Sequence, residues 1–256
     1  MSDRTLLSLT GTDRTDFLQG LVTNDVTRPG LSYAALLTPQ GKYLVDFLVL
    51  TGADEIVLDV ASSHAAGLFQ RLTMYKLRAD VQIAESALHV RRGTGPAPDG
   101  ALPDPRHPAL GWRLYGPGQD DAAGDDGTDW KALRVAHVIP ETGIELTPDT
   151  YILEAGFERL NGVDFRKGCF VGQEVVARMK HKTELKKGLV QVAIEGEAAA
   201  GTAITLEDGR EAGILFTRAG DKALAQLRFD RGAGPLNAGA ARIRWDGDRG
   251  AQARSE

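Results

Sequence analysis

The chain has 256 residues, 30 Lys and Arg against 35 Asp and Glu (formal net charge −5), 42% hydrophobic residues, 30 glycines and one cysteine. A chain of this length buries a full core without covalent staples. The single cysteine excludes an internal disulfide and a thiolate metal cage built by one chain, and the acidic balance speaks against a general nucleic-acid binder.

TLLSL (5–9) reads as a strand, and TDRTDFLQGL (12–21) as a helix with Thr12 as N-cap and Phe17, Leu18 and Leu21 on one face. SYAALLT (32–38) and KYLVDFLVL (42–50) flank Pro39-Gln40-Gly41, the chemistry of a tight hairpin turn. EIVLDV (55–60) extends the sheet, and SSHAAGLFQRLTMYK (62–76) is a capped amphipathic helix with Ala65, Leu68, Leu72 and Tyr75 at helical spacing. ADVQIAE (79–85) returns as a strand, which makes the first part α+β rather than doubly wound. Residues 93–129, rich in Gly, Pro and Asp, read as a linker excursion with one strand-like island, GWRLYG (111–116). Helical character follows at DWKALRVAH (129–137), around YILEAGFERL (151–160), and from about Gly172. Short strands between Gly turns then predict a small β-barrel over about 185–246. The expected division is 1–92, 93–184 and 185–247, with a frayed tail at 248–256. No apolar run approaches the ~20 residues of a membrane span. MSDRTLLSLTGTDR lacks the long apolar core of a secretory signal, so the expected location is cytoplasmic.

The one cysteine lies in KGCFVGQE (167–174), ahead of the expected helix. A thiol there sees the positive end of the helix dipole, and Lys167 adds a cation; both favour thiolate, while Glu174 opposes it. The alternative is a small buried hydrophobe. RMKHKTELKK (178–187) carries Arg178, Lys180, Lys182, Lys186 and Lys187 against Glu184 alone, and DDAAGDDGTD (120–129) carries five aspartates. Each is either a solvated face or, for the basic strip, a holder for an anionic tail or phosphate backbone. His64, His89, His107, His137 and His181 show no metal-ligand spacing, and no metal is expected. The chain has no G-x-S-x-G elbow, no Walker A loop and no dinucleotide fingerprint.

KGCFVGQE with Arg178 resembles the K-G-C-[YF]-x-G-Q-E signature of the YgfZ family of folate-binding proteins. FLQGLVTNDV (17–26), LLTPQGKYLVDFLVL (36–50), LFQRLTMYKLRADVQI (68–83), DPRHPALGWR (104–113) and LRVAHVIPETGIEL (133–146) agree in order, so the likeness covers nearly the whole chain. It implies an α+β fold like that of the glycine-cleavage T-protein: two interleaved α+β parts that bind tetrahydrofolate or a derivative, with a C-terminal β-barrel. It implies a folate-binding accessory protein for iron–sulfur cluster assembly or repair and for tRNA modification. The implied partners are iron–sulfur assembly or client proteins, and tRNA through the basic strip.

On this reading Lys167, Gly168, Cys169, Phe170, Gly172, Gln173, Glu174 and Arg178 form the motif, with Cys169 as its reactive group. Asp46 accepts hydrogen bonds from a pterin edge or is a structural acid on an edge strand. Gln19, Thr23, Asn24 and Asp25 contact folate or supply helix-exit turn chemistry. Arg134 faces the folate glutamate tail or lies on a helix surface. T-proteins carry a catalytic acid at the position of Val45, and only the following acid, Asp46, is present here. A tetrahydrofolate-dependent aminomethyltransferase is therefore the alternative reading, with an RNA-binding accessory factor the third.

Overall fold

The computed structural model describes residues 4–117, 126–182 and 184–249. It falls into two compact units, Met1–Thr128 with Leu160–Val175, and Asp129–Arg159 with Val176–Glu256.

The first unit is built on a five-stranded sheet in the order β2-β3-β4-β1-β5. Its strands are β1 (Arg4–Thr10), β2 (Gly30–Leu37), β3 (Tyr43–Thr51), β4 (Ile56–Ala61) and β5 (Gln82–Glu85). Strand alternation sends Val45, Phe47 and Val49 of β3 to one face. There they pack with Leu18 of α1 (Arg14–Gln19) and Ala65, Leu68 and Leu72 of α2 (Ser62–Tyr75). All six residues of β4 are buried, so the opposite face is covered as well. Residues 89–116 supply that cover: β6 (His89–Gly93), β7 (Leu102–Pro103) and β8 (Trp112–Gly116) form a second sheet in the order β6-β8-β7.

The contact with this second sheet is polar. Asp59 of β4, 1% exposed, accepts from Arg113 of β8 at 2.7 Å, from the Tyr115 hydroxyl at 2.9 Å and from Arg4 at 2.6 Å. Arg113 also donates to Asp104 at 2.9 Å, and Asp104 holds Arg106 at 2.7 and 2.9 Å. Burial alone would raise both carboxyls, but the neighbouring guanidinium groups more than offset it and hold them below the ordinary carboxylate range. Burial pushes the Tyr115 hydroxyl well above its usual value, and the Asp59 charge adds to this, so it stays a donor.

The second unit carries a closed barrel in the order β10-β11-β12-β9-β14-β13. Its strands are β9 (Lys187–Glu195), β10 (Ala203–Leu206), β11 (Glu211–Ala219), β12 (Lys222–Arg228), β13 (Leu236–Ala238) and β14 (Ala241–Arg244). Val190, Val192 and Ile194 point inward and join Ile204, Leu215 and Ile243 in the barrel core. Pairing of β10 with β13 closes the barrel and leaves no free edge. α3 (Trp130–Ala136), capped by the Asp129 side chain on the Ala132 N–H, lays Val135 against Leu189 and Leu224. α4 (Gln173–Lys182) connects the two units along the chain.

Two local expectations are corrected, and three strands are added. Thr12 does not cap α1; its hydroxyl and N–H both donate to Asp80, and Asp13 stands at the cap with its side chain accepting from the Asp80 N–H and making no capping bond to the helix. Residues 151–160 form turns, not a helix: Gly156 has φ +80, and the N–H groups of residues 155–157 reach back by four, three and five residues. Ile152, Leu153, Ala155 and Phe157 are all buried, which a single amphipathic stripe cannot achieve. The His89–Gly93 and Leu102–Pro103 strands and the short β13 are additions to the expected elements. Residues 120–125 of the aspartate run and 250–256 of the tail lie outside the described residues.

Candidate functional site

The octapeptide is fastened at both ends and free in its middle. Lys167 is buried, and its ammonium group donates to the Gln19 carbonyl at 2.7 Å and to the Val22 carbonyl. It therefore satisfies acceptors at the end of α1, where carbonyls lack helical partners. The same ammonium lies 5.2 Å from the centre of the Phe170 ring, and Phe170 is itself buried. Between these two anchors Gly168 and Cys169 are exposed. Cys169 is a free thiol at the surface; it is not a buried hydrophobe.

Gly172 and Gly41 explain how the loop reaches α4. Gly172 has φ +84, and a Cβ there would come within 2.6 Å of the Thr38 carbonyl oxygen. Gly41, at φ +74 in the β2–β3 turn, would bring a Cβ to 2.8 Å from the Val175 Cβ. Backbone meets backbone at this point, so the hairpin tip and the start of α4 are held in one arrangement.

The Thr23-Asn24-Asp25 cluster does the same work from the other side. Thr23 is buried; its hydroxyl donates to the Gly162 carbonyl at 2.6 Å and accepts from the Ala35 N–H at 2.9 Å. The Asn24 amide donates to the Tyr33 and Asn161 carbonyls at 2.8 and 2.7 Å. Asp25 accepts from Thr27 and from the Gln19 side-chain amide, whose Oε1 accepts from the Val26 N–H. These side chains tie the 160–167 loop to the exit of α1.

Asp46 lies on the sheet face opposite the α1–α2 core. Its carboxylate accepts from the Tyr43 hydroxyl at 2.6 Å and the Tyr33 hydroxyl at 2.9 Å. Burial raises the Tyr33 hydroxyl well above its usual value, the Asp46 charge adds to it, and the proton stays on the tyrosine. The Arg106 guanidinium stands 5.6 Å from the Tyr33 ring centre, which joins this trio to the Asp104–Arg113–Asp59 ladder. Sequence reading missed Tyr33, Tyr43, Arg106 and Arg113. The signal available was the pair of tyrosines bracketing the turn, although pairing across strands decides which of them meets the acid.

In the second unit, Arg134 donates to the Ile139 carbonyl at 2.9 Å and pairs with Glu141 and Glu145 at 2.9 and 3.2 Å. Glu145 is buried and also accepts from Thr217 of β11, so Arg134 ties α3 to the barrel. In the basic strip, Lys180 pairs with Glu158, and Lys187 with Glu154 at 3.4 Å. Arg178, Lys182 and Lys186 have no ion pair among the described residues. Gln173 and Glu174 occupy the first turn of α4, with Glu174 exposed. The described residues contain no group of three or more His, Cys, Asp or Glu able to hold a metal ion, and no helix long and apolar enough to cross a membrane.

Burial lowers the Lys167 ammonium to about 8, against the opposing pull of Asp25 and Asp164. Its folded value thus lies below the unfolded one, so the unfolded chain binds more protons between about pH 8 and 10.5 and stability rises with pH across that window. Below pH 8 both states are protonated and the burial cost is fully present. Lys167→Met should abolish this rise. Urea unfolding of both proteins at pH 7.5 and pH 9.5 measures it, and equal pH dependence in the two would assign the effect elsewhere.

The CAF17 C-terminal β-barrel domain matches residues 186–247. The iron–sulfur cluster assembly factor IBA57 of Mus musculus, a mitochondrial protein, is 31% identical over 93% of this chain and 79% of its own length. That of Homo sapiens is 28% identical over the same shares, and the Neurospora crassa homologue is 29% identical over 78% of this chain and 54% of its own length. The glycine cleavage aminomethyltransferase T of Bartonella henselae has the same fold, with a TM-score of 0.74 over 94% of this chain and 82% of that one, at 15% identity. The expected cytoplasmic location is overturned by these relatives, which are mitochondrial by name. A lone cysteine indicates a reducing compartment and does not tell one such compartment from another.

Proposed function

Since the chain belongs to the IBA57 family of iron–sulfur cluster assembly factors, we propose that it serves iron–sulfur cluster assembly through Cys169 and binds a reduced folate beside Asp46. The observation that carries the first half is the exposed, two-residue Gly168-Cys169 tip held between two buried anchors. A cluster takes about four protein ligands. One thiol with no metal-binding cluster among the described residues supplies a single ligand, so the cluster is cargo shared with a partner protein. The test is the activity of iron–sulfur enzymes in cells carrying Cys169→Ser.

The folate half rests on the YgfZ-like octapeptide and on the Tyr33–Asp46–Tyr43 trio. A carboxylate is an acceptor, as this one is for the two tyrosine hydroxyls, and the donor edge of a pterin is the group complementary to it. Bound tetrahydrofolate would supply a one-carbon carrier; what this chain provides is a carboxyl group oriented by two tyrosine hydroxyls, with the Tyr33 proton held in place by burial. Anaerobic titration with tetrahydrofolate should saturate in the micromolar range, and Asp46→Asn should weaken it about tenfold, the worth of one charge-assisted hydrogen bond. Absence of any binding would remove folate from the reading.

Aminomethyl transfer has less support, because Val45 stands where the T-protein acid lies and its side chain is in the core. Contact with tRNA rests on the three unpaired cations of the basic strip alone, since Lys180 and Lys187 are spent on glutamates.

A further inference from the structure

The outer wall of the barrel over β13, β14 and β9 is hollowed into a cavity of about 710 Å³. Sites for small ligands measure roughly 300–1,000 Å³. Strand alternation builds this one. Buried Ala241 and Ile243 of β14 alternate with exposed Arg242 and Arg244, so both arginines stand on the outer wall. Arg242 faces Asn237 of β13 on one side and Glu195 of β9 on the other, which puts the three in one row. In the next row Arg244 faces Ala193, whose single methyl group leaves room beside it. Pro235 and the Trp245 ring add apolar wall. Trp245 is fixed, because it stacks on Phe229 at 5.6 Å and gives its N–H to the Asp248 carbonyl at 2.8 Å.

The two arginines of this cavity are exceptions within the barrel. Arg210 holds Asp208 at 2.7 Å, Arg218 holds Glu197 at 3.4 Å and Arg228 holds Asp230 at 3.0 Å. Arg231 donates to the Glu211 carbonyl at 2.6 Å. Arg242 and Arg244 have no ion pair and no side-chain hydrogen bond among the described residues. The same is true of Asn237, Glu195 and Glu207, which also line the cavity. Glu195 stands directly across from Arg242, where opposite charges ordinarily attract, and the two still do not close. Five polar side chains thus surround one hollow with their donors and acceptors unspent.

The placement of these groups selects the ligand. Residues two apart on one strand face stand about 7 Å apart, a gap that two guanidinium stems bridge onto a single anion. Two guanidinium forks and the Asn237 amide offer more donors than the two oxygens of a carboxylate accept, and they match the several oxygens of a phosphate. Glu195 and Glu207 are acceptors for hydroxyl or amino groups on the body of the ligand, and the Trp245 and Pro235 walls suit a flat ring. A nucleoside phosphate carries all three elements. A nucleic-acid strand fits poorly: the cations are confined to β14, Glu195 on β9 and Glu207 after β10 repel a phosphate chain that runs on across the wall, and the chain as a whole carries −5. We propose that the β13–β14–β9 cavity binds a free nucleoside diphosphate, with its phosphates on Arg242, Arg244 and Asn237 and its ring against Trp245. The proposal involves neither Cys169 nor Asp46, so it stands or falls separately from cluster assembly and folate.

The test titrates the full chain calorimetrically with ADP and GDP, and separately with adenosine, guanosine, inorganic phosphate and tRNA. At least one of the two diphosphates should bind saturably, with its nucleoside and phosphate alone each weaker by about tenfold or more. Arg242→Gln with Arg244→Gln should weaken the diphosphate by about tenfold or more and leave the thermal midpoint unchanged, since both side chains are exposed and unpaired. Arg210→Gln, an exposed arginine of the same barrel outside the cavity, should bind as the parent does. The proposal is overturned if neither diphosphate binds, if inorganic phosphate binds as tightly as the diphosphates, or if the double variant keeps full affinity. It is equally overturned if Arg210→Gln loses as much as the double variant, or if tRNA binds through Arg242 and Arg244 in place of the diphosphates.

Discussion

Cys169→Ser should leave folding intact and remove the support of iron–sulfur enzymes in cells. An exposed side chain without packing partners changes stability by about 0.5 kcal/mol or less when conservatively replaced, and Cys169 is exposed between buried anchors. Serine preserves the size and the hydrogen-bonding of the thiol but is a hard oxygen ligand that does not substitute for thiolate at iron. The expected result is therefore an unchanged thermal midpoint with near-complete loss of iron–sulfur enzyme activity in a strain that depends on this protein. The variant chain mixed with a cluster-bearing carrier should likewise fail to form the shared species seen by absorbance with the unaltered chain. Full restoration of growth and enzyme activity by Cys169→Ser would end the thiol's part in the mechanism.

Arg113→Met should be the most destabilising of the simple substitutions in the first unit. Arg113 is the only residue bonded to both Asp59 and Asp104 in the described network, and all three are buried. Its removal leaves two carboxylates in low dielectric with one partner fewer each, a loss of about 3–5 kcal/mol, or roughly 6–20 °C in melting temperature for a chain of this size. Arg113→Met with Asp59→Asn and Asp104→Asn should recover a large part of that loss, because the uncompensated charge goes with the acids. A thermal melt of the single and triple variants decides it, and a single variant within about 2 °C of the parent would show that the ladder is not integral to the fold. The sign with pH follows from the lowered carboxyl values. The stabilisation is present above about pH 4, the unfolded value, and is lost as pH falls through the lower folded ones.

Legibility differed between the two ends of the octapeptide. KGCFVGQE pointed to the thiol because a lone cysteine between glycines before a helix is a pattern of adjacent residues. The anchoring role of Lys167 was not legible, for the opposite reason. Its partners are the carbonyls of Gln19 and Val22, well over a hundred residues away, and no local rule joins them. The Asp59–Arg113–Asp104 ladder was equally silent, since it requires the 93–129 excursion to fold back as a sheet over the open face of β4.

The alternation of β2, β3 and β4, the amphipathic spacing of α2 and the Gly-punctuated strands of the barrel were determined by the sequence, because each depends on residues within one turn or one strand of each other. Which face of the main sheet is covered by polar contacts, which cations are spent on acids and which remain free, and where Cys169 stands relative to solvent were decided only by tertiary structure. Those properties depend on pairings between distant segments, and the closure of a long loop costs too little free energy to leave a trace in local composition.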